Sequence, residues 1–212
     1  MEGQQFPRTA GLWCAFGAAI ATVGAIITGS IPTTVPTTSA SYPFSPTVYS
    51  VTQILWATCQ FLMFLGVLGL ARSGAIGTSR LGTAGKWLAL VGMAAMVPFI
   101  AAFAFIATEQ VDSPRAAALS SAVGLASNVA GVGLILVGIA VLRAGRWHGW
   151  QRFTPLLCGL YVFVALTPIL AAFSGLFFWG IAGWSACFIL LGLALVGQRA
   201  TLAGAAFSPT PA

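Results

Sequence analysis

The sequence predicts an all-α membrane protein: a polytopic bundle of six transmembrane helices with both termini in the cytoplasm. Three observations predict this fold class. Hydrophobic residues make up 58% of the chain, charged residues make up only 6%, and the apolar residues gather into six long segments. A soluble domain carries about 25% charged residues, whereas side chains that face lipid need no polar cover. A chain of 212 residues therefore fits one transmembrane domain, residues 1–199.

The predicted spans are residues 9–29, 49–71, 86–108, 117–142, 154–174 and 177–198. Each has about 20 residues or more, enough to cross about 30 Å of hydrocarbon at about 1.5 Å per residue. A short turn at Ser174-Gly175 separates the last two spans. The first span could instead be a cleaved signal peptide, but its apolar run exceeds the usual length of about 7–15 residues. A retained helix is therefore expected.

The basic residues orient the chain. Under a six-span arrangement, all of them except Arg115 fall on one side of the membrane, which the positive-inside rule makes the cytoplasmic side. Because these residues stand singly beside apolar runs, the net charge of +6 indicates topology and not a nucleic-acid partner. The residues on the basic side are Arg8, Arg72, Arg80, Lys86, Arg143, Arg146, Arg152 and Arg199.

Two segments outside the spans have biased composition. The outer loop, residues 30–48, is rich in Pro, Ser and Thr and carries no charge, so we expect it to be extended or irregular. It is either a plain connector or a cap that places Tyr42 and Phe44 over a cavity. Residues 200–212 end in Ser-Pro-Thr-Pro-Ala and are expected to form a disordered cytoplasmic tail.

Two amides mark the predicted centre of the membrane. Gln60 and Asn128 fall near the middle of spans 2 and 4, where each needs a hydrogen-bond partner: the other amide or a freed backbone carbonyl. Gln53, Trp56 and Gln60 share one helical face. The four residues Gln53, Trp56, Gln60 and Asn128 are therefore candidate ligand-binding residues, and the alternative is that the amides only hold helices together.

Prolines and small residues suggest where helices bend and pack. Pro98 and Pro168 lie inside spans 3 and 5, and each frees a carbonyl one turn earlier, so both are candidate hinges. Ser120, Gly124 and Asn128 recur at a spacing of four, which allows helices to approach closely. Span 4 is therefore expected to be the most central, and such faces are also candidates for homo- or hetero-oligomer contacts. A second small-residue face comprises Gly17, Ala21 and Ala25.

The sequence lacks the residues that several kinds of chemistry require. No charged residue lies near the middle of a span, which argues against proton-coupled transport. The sequence has no P-loop and no zinc-protease motif, and it predicts no catalytic residue, metal or cofactor. The lone His148 and four scattered cysteines do not make a zinc site. These cysteines are expected to be buried apolar residues: Cys14, Cys59, Cys158 and Cys187.

The chain resembles uncharacterised small multi-span proteins of high-GC, actinobacterial-type bacteria, and its layout is similar to the DUF4386 type of six-span protein. The residues that carry this resemblance are Arg8-Thr9-Ala10-Gly11, Gln53-Ile54-Leu55-Trp56 and Leu65-Gly66-Val67-Leu68-Gly69-Leu70-Ala71-Arg72-Ser73-Gly74. The resemblance implies six helices and no activity. We expect a multi-pass protein of the bacterial cytoplasmic (inner) membrane.

Two functions follow as hypotheses. The first is a non-enzymatic protein that binds or passes a small neutral or lipidic molecule, or serves as a membrane partner subunit. The alternative is an enzyme that acts on lipid at the outer face through Glu109 and Asp112. Those two acids share a short loop with Arg115, as a solvated charge cluster would.

Overall fold

The computed structural model describes residues 5–33, 35–172 and 176–206, although the side chains of residues 170–172 and 198–206 lie outside this description. Short 3₁₀ turns lie at Phe103–Phe105 and Gly149–Phe153, and a π-helical turn lies at Val162–Leu166. The α-helices are α1 (Gln5–Ser30), α2 (Pro46–Arg72), α3 (Arg80–Ala102), α4 (Pro114–Ala144), α5 (Thr154–Tyr161), α6 (Thr167–Ala172) and α7 (Phe177–Ala206).

Within the described residues, six helical spans are long and apolar enough to cross a membrane, which confirms the all-α, six-span fold. The fifth span begins earlier than expected, at Gly149, and its helical backbone is described as far as Ala172. The turn predicted at Ser174-Gly175 lies outside the described residues. The spans are Gln5–Ser30, Pro46–Arg72, Arg80–Phe105, Pro114–Ala144, Gly149–Ile169 and Phe177–Gly197.

The helix ends are explained by their local sequence. Ser79 and Ser113 cap α3 and α4, and their hydroxyl oxygens accept the backbone N–H groups of Gly82 and Ala116 at 3.1 and 3.2 Å. Pro114 occupies the first turn of α4, where proline's missing N–H costs nothing. α4 ends where Gly145 adopts a left-handed φ of 62°.

Neighbouring spans are antiparallel, and the bundle closes because α7 packs back onto α1. Glycines set these contacts: a Cβ on Gly92 in α3 would lie 2.5 Å from the backbone nitrogen of Ala130 in α4. A Cβ on Gly192 in α7 would lie 2.6 Å from the carbonyl oxygen of Gly11 in α1. The helix backbones therefore touch, as small residues allow in membranes.

Apolar side chains fill the interior. The fourth span (α4) and the sixth span (α7) are the most buried. The central position that the sequence predicts for α4 is therefore shared with α7. The tryptophans Trp147 and Trp184 are buried, although their positions near span ends are also typical of an interfacial belt. The largest fully buried side chains include Phe188, Leu70, Met93, Leu134 and Leu191.

The two outer loops are joined to each other. Ser39 and Gln110 form an isolated antiparallel bridge. The N–H of Ala40 donates to the carbonyl of Glu109 at 3.0 Å. The N–H of Val111 donates to the carbonyl of Thr38 at 2.8 Å. The outer loop therefore pairs with the α3–α4 loop and is more than a free connector.

The domain boundary at residue 199 stays a prediction. The helix α7 is described as far as Ala206, so its backbone continues past the position where the sequence predicts the start of a disordered tail. Residues 207–212 lie outside the described part of the chain.

Candidate functional site

Gln60 is enclosed in the bundle interior. Its side chain is 2% exposed, and its amide Nε2 lies 3.5 Å from the sulfur of Met93 and 3.6 Å from that of Met96. Both methionines belong to α3. Thioether sulfur is a weak acceptor, so the amide is held by packing against α3 more than by strong hydrogen bonds.

The other residues of the predicted site are more open. Gln53 and Trp56 precede Gln60 on α2 and are both half-buried, as is Asn128 on α4. Asn128 does not bond to Gln60; its Nδ2 donates to the carbonyl of Gly124 in its own helix at 2.9 Å. The structure therefore places Gln60 against α3 and leaves Asn128 in a different setting.

That setting is a glycine ladder on α4. Gly124, Gly131 and Gly138 recur every seven residues and so share one helical face. A Cβ on Gly138 would lie 2.6 Å from the backbone nitrogen of Leu156, and one on Gly131 would lie 3.1 Å from the Cβ of Val162. A Cβ on Gly124 would meet no heavy atom of the described residues within 4 Å. The described side chains of the fifth span therefore cover this face at Gly131 and Gly138 and do not reach Gly124.

The π-helical turn explains the loss of contact. It begins at Val162, and its first two residues, Val162 and Phe163, are the ones that approach Gly131. Beyond the turn, the fifth span packs on α7, where a Cβ on Gly180 would lie 3.1 Å from Ile169. Pro168 lies two residues after the turn and lacks the N–H that would bond the carbonyl of Val164. Wide helical turns of this kind often accompany such breaks.

An open stretch of α4 lies beyond this point. We call Ser120, Ser121, Gly124 and Asn128 the α4 outer face. Both serines are exposed. Val164, in the π-helical turn of the fifth span, is 74% exposed. Among the described side chains, no hydrogen-bond donor reaches the Oδ1 atom of Asn128. The α4 outer face therefore presents the side-chain amide of Asn128 near the middle of the span. The Oδ1 atom of this amide accepts no hydrogen bond from a described side chain.

The two predicted hinges differ. Pro98 is exposed inside α3, which stays α-helical as far as Ala102. Pro168 is also exposed, but it stands next to the π-helical turn at Val162–Leu166. The fifth span is therefore the stronger candidate for a hinge, and hinge motion stays a prediction for both prolines.

Surface pockets lie away from these amides. One, of about 300 Å³, is lined on α1 by Gln5, Arg8, Thr9 and Leu12. The other, of about 400 Å³, is a shallow depression between the start of α2, from Pro46, and residues 104–108. Neither pocket is lined by Gln60 or Asn128, and neither is lined by Tyr42 or Phe44.

Glu109, one of the two acids in the α3–α4 loop, contacts the cap of α4. The two carboxylate oxygens of Glu109 accept from the hydroxyl of Ser113 at 2.7 Å and from the guanidinium of Arg115 at 3.3 Å. Ser113 is the N-cap of α4. Asp112 is exposed in the same loop. Both oxygens of Glu109 are therefore engaged in holding the start of α4.

Other polar and sulfur groups do not form a site in the described residues. The four cysteines are free thiols and are buried, and the described side chains contain no cluster that could hold a metal ion. Two buried atoms in α7, Nε1 of Trp184 and Oγ of Ser185, have no hydrogen-bond partner there. Neither of the two surface pockets is lined by Trp184 or Ser185.

Comparisons of this chain with protein families, with curated proteins and with solved structures find no match. Its resemblance to the DUF4386 type of six-span protein therefore stays a prediction.

Proposed function

We propose that this protein is a non-enzymatic subunit of the bacterial cytoplasmic membrane, with both termini in the cytoplasm, that assembles through the α4 outer face. The observation that carries this proposal is the contrast along the glycine ladder. Gly138 and Gly131 are covered by the fifth span, whereas a Cβ on Gly124 would meet no atom of the described residues within 4 Å. Glycine at that position lets a second backbone come close.

Asn128 supplies the specific contact. An amide in hydrocarbon has no water to bond, and the Oδ1 atom and the second N–H of Asn128 lack described partners. An acyl chain offers neither donor nor acceptor at this depth. A helix that carries a polar side chain does, and such interhelical bonds contribute roughly 0.6–2 kcal/mol.

The occupant that we propose is a second copy of this chain. A side-chain amide contains both a donor and an acceptor, so two Asn128 side chains related by a two-fold axis complement each other. In an isologous interface the same surface meets itself. The α4 outer face fulfils this requirement because small residues flank the amide on the outer side, at Gly124 and Ser120.

Passage of a solute is less well supported. A pathway through the bundle would run beside its interior polar group, but Gln60 is enclosed by apolar side chains and contacts two methionine sulfurs. The enzyme alternative is also less well supported, because Glu109 is engaged by Ser113 and Arg115.

Mass measurement tests the proposal. Native mass spectrometry of the protein released from lipid nanodiscs is expected to show a dimer of the 21.8 kDa chain, and the Asn128→Leu variant is expected to be mainly monomeric. A monomeric wild-type chain, or a wild-type chain bound only to a different protein, would contradict assembly between copies. Proteoliposomes containing the dimer are expected to pass small neutral solutes no faster than protein-free vesicles, and faster passage would contradict the non-transporting role.

A further inference from the structure

The hydroxyl groups of the outer loop fall into two sets. The first set holds the loop together: the hydroxyl of Thr33 donates to a backbone carbonyl of the same loop at 2.7 Å, and the hydroxyls of Ser39 and Ser41 share a hydrogen bond of 3.0 Å. The second set is Thr37 and Thr38. Both residues are exposed, and their hydroxyls take part in none of the hydrogen bonds described for the loop.

Thr37 and Thr38 occupy the two corners of a β-turn. The turn is closed by the N–H of Ser39, which donates to the carbonyl of Pro36 at 3.0 Å. It is also anchored from outside, because the carbonyl of Thr38 accepts the N–H of Val111 in the α3–α4 loop at 2.8 Å. The backbone at the two threonines is therefore held in place while both residues stay exposed.

Threonines within the spans differ from this pair. The hydroxyls of Thr52 and Thr58 donate to carbonyls one turn earlier in α2, at 2.8 and 2.9 Å. Such a hydroxyl is bonded to its own helix and lies along a membrane span, where an enzyme acting from the aqueous side does not reach it. The pair in the outer loop is accessible and bonds no helix carbonyl.

The composition around the pair is typical of one kind of modification. Nine of the 19 residues at positions 30–48 are Ser or Thr, four are Pro and none is charged, and segments of this composition are the ones that carry O-linked sugars. Proline keeps such a segment out of helices and sheets, so its hydroxyls stay open to an enzyme. Phosphorylation, the other common modification of these hydroxyls, needs a nucleotide donor, which the cytoplasm supplies and the outer side does not.

We propose that Thr37 and Thr38 are O-glycosylated on the outer side of the membrane by transfer from a lipid-linked sugar phosphate. The Oγ1 atom of the threonine bonds to the anomeric carbon, the bond from that carbon to the phosphate oxygen breaks, and the lipid phosphate leaves with the electron pair. The hydroxyl proton passes to a base of the transferase. A lipid-linked donor suits the site because the turn lies close to the membrane: α2 begins at Pro46, a few residues after Thr38.

This proposal rests on the orientation proposed above, with both termini in the cytoplasm, and is independent of assembly through the α4 outer face. Mass measurement of the loop tests it. The protein is purified from the membranes of cells that naturally make it, and the segment at positions 31–48 is analysed by fragmentation that leaves sugars attached. We expect whole sugar units on Thr37 and Thr38 of the wild-type chain.

Matched variants sharpen the result. We expect complete loss of the sugar in the double variant Thr37→Val with Thr38→Val, since valine keeps the branching of threonine and removes the hydroxyl. The control is Thr33→Val, which removes a hydroxyl used inside the loop and is expected to keep the sugar. A bare wild-type loop, a sugar that remains in the double variant, or phosphate in place of sugar would overturn the proposal.

A labelling experiment separates this proposal from the orientation on which it rests. Ser45 is exposed and its side chain does not cap α2, so Ser45→Cys presents a reactive thiol in the outer loop, whereas the native cysteines are buried. We expect a membrane-impermeant maleimide to label this variant in intact cells. Labelling together with a bare loop would overturn the glycosylation alone. Labelling only after the membrane is opened would overturn the orientation, and the glycosylation with it.

Discussion

The two mid-membrane amides, Gln60 and Asn128, share a chemistry and differ in surroundings. Gln60 is enclosed between α2 and α3 and contacts methionine sulfurs. Asn128 is half-buried on α4, where the neighbouring span departs at a π-helical turn. The comparison teaches that depth in the membrane does not decide the role of a polar residue. What decides it is whether the adjacent helix stays in contact.

The largest effect is expected at the inner end of the glycine ladder. Replacing Gly138 with Leu would drive a side chain into the backbone of Leu156, since even a Cβ would lie 2.6 Å from its nitrogen. Overpacking of this kind destabilises by about 1–3 kcal/mol, and by more where backbone must move. We expect a marked fall in the thermal unfolding temperature in detergent. Unfolding at the wild-type temperature would show that α4 and α5 are not in backbone contact.

At the outer end of the ladder, the same substitution should act on assembly and not on folding. Gly124→Leu introduces a side chain where a Cβ would meet no described atom within 4 Å, so we expect wild-type unfolding and loss of the dimer. Gly24→Leu is the matched control, because Gly24 in α1 is equally open but has no amide beside it. The masses of both variants are compared in nanodiscs. Dissociation by Gly24→Leu as well would contradict an interface located on α4.

A smaller effect is expected at Gln60. Gln60→Met keeps the side-chain length and removes an amide whose acceptors are weak, and volume-conserving changes in cores usually cost less than about 1.5 kcal/mol. We expect the free energy of unfolding to stay within about 1 kcal/mol of wild type or to rise, because a poorly bonded polar group is expensive to bury. The measurement is urea or thermal unfolding in detergent. A loss of several kcal/mol would mean that Gln60 makes strong bonds.

The fold could be predicted from the sequence because lipid imposes a simple requirement. Runs of about 20 apolar residues must become helices there, and this fixed the six spans. The sequence also identified Gln60 and Asn128 as the central polar residues. Their partners were not predictable, because Met93 and Met96 lie more than thirty positions from Gln60 in the chain.

The candidate site was only partly predictable. Pro168 signals a lost hydrogen bond at Val164, but the contact of the π-helical turn at Val162–Leu166 with Gly131 of α4 is not visible in the sequence. That a Cβ on Gly124 would meet no described atom within 4 Å has no local signal in the sequence either. The burial of Trp184 was likewise hidden, because tryptophan near a span end suits both a core and a membrane interface.

Cysteine cross-linking tests the central claim most directly, that the α4 outer face meets its own copy. The native cysteines are buried, so a cysteine introduced at Gly124 is the reactive one in intact membranes. We expect Gly124→Cys to form a disulfide-linked dimer under mild oxidation, and Gly24→Cys to stay monomeric under the same conditions. Absence of the dimer in Gly124→Cys, or equal dimer in both variants, would contradict the account.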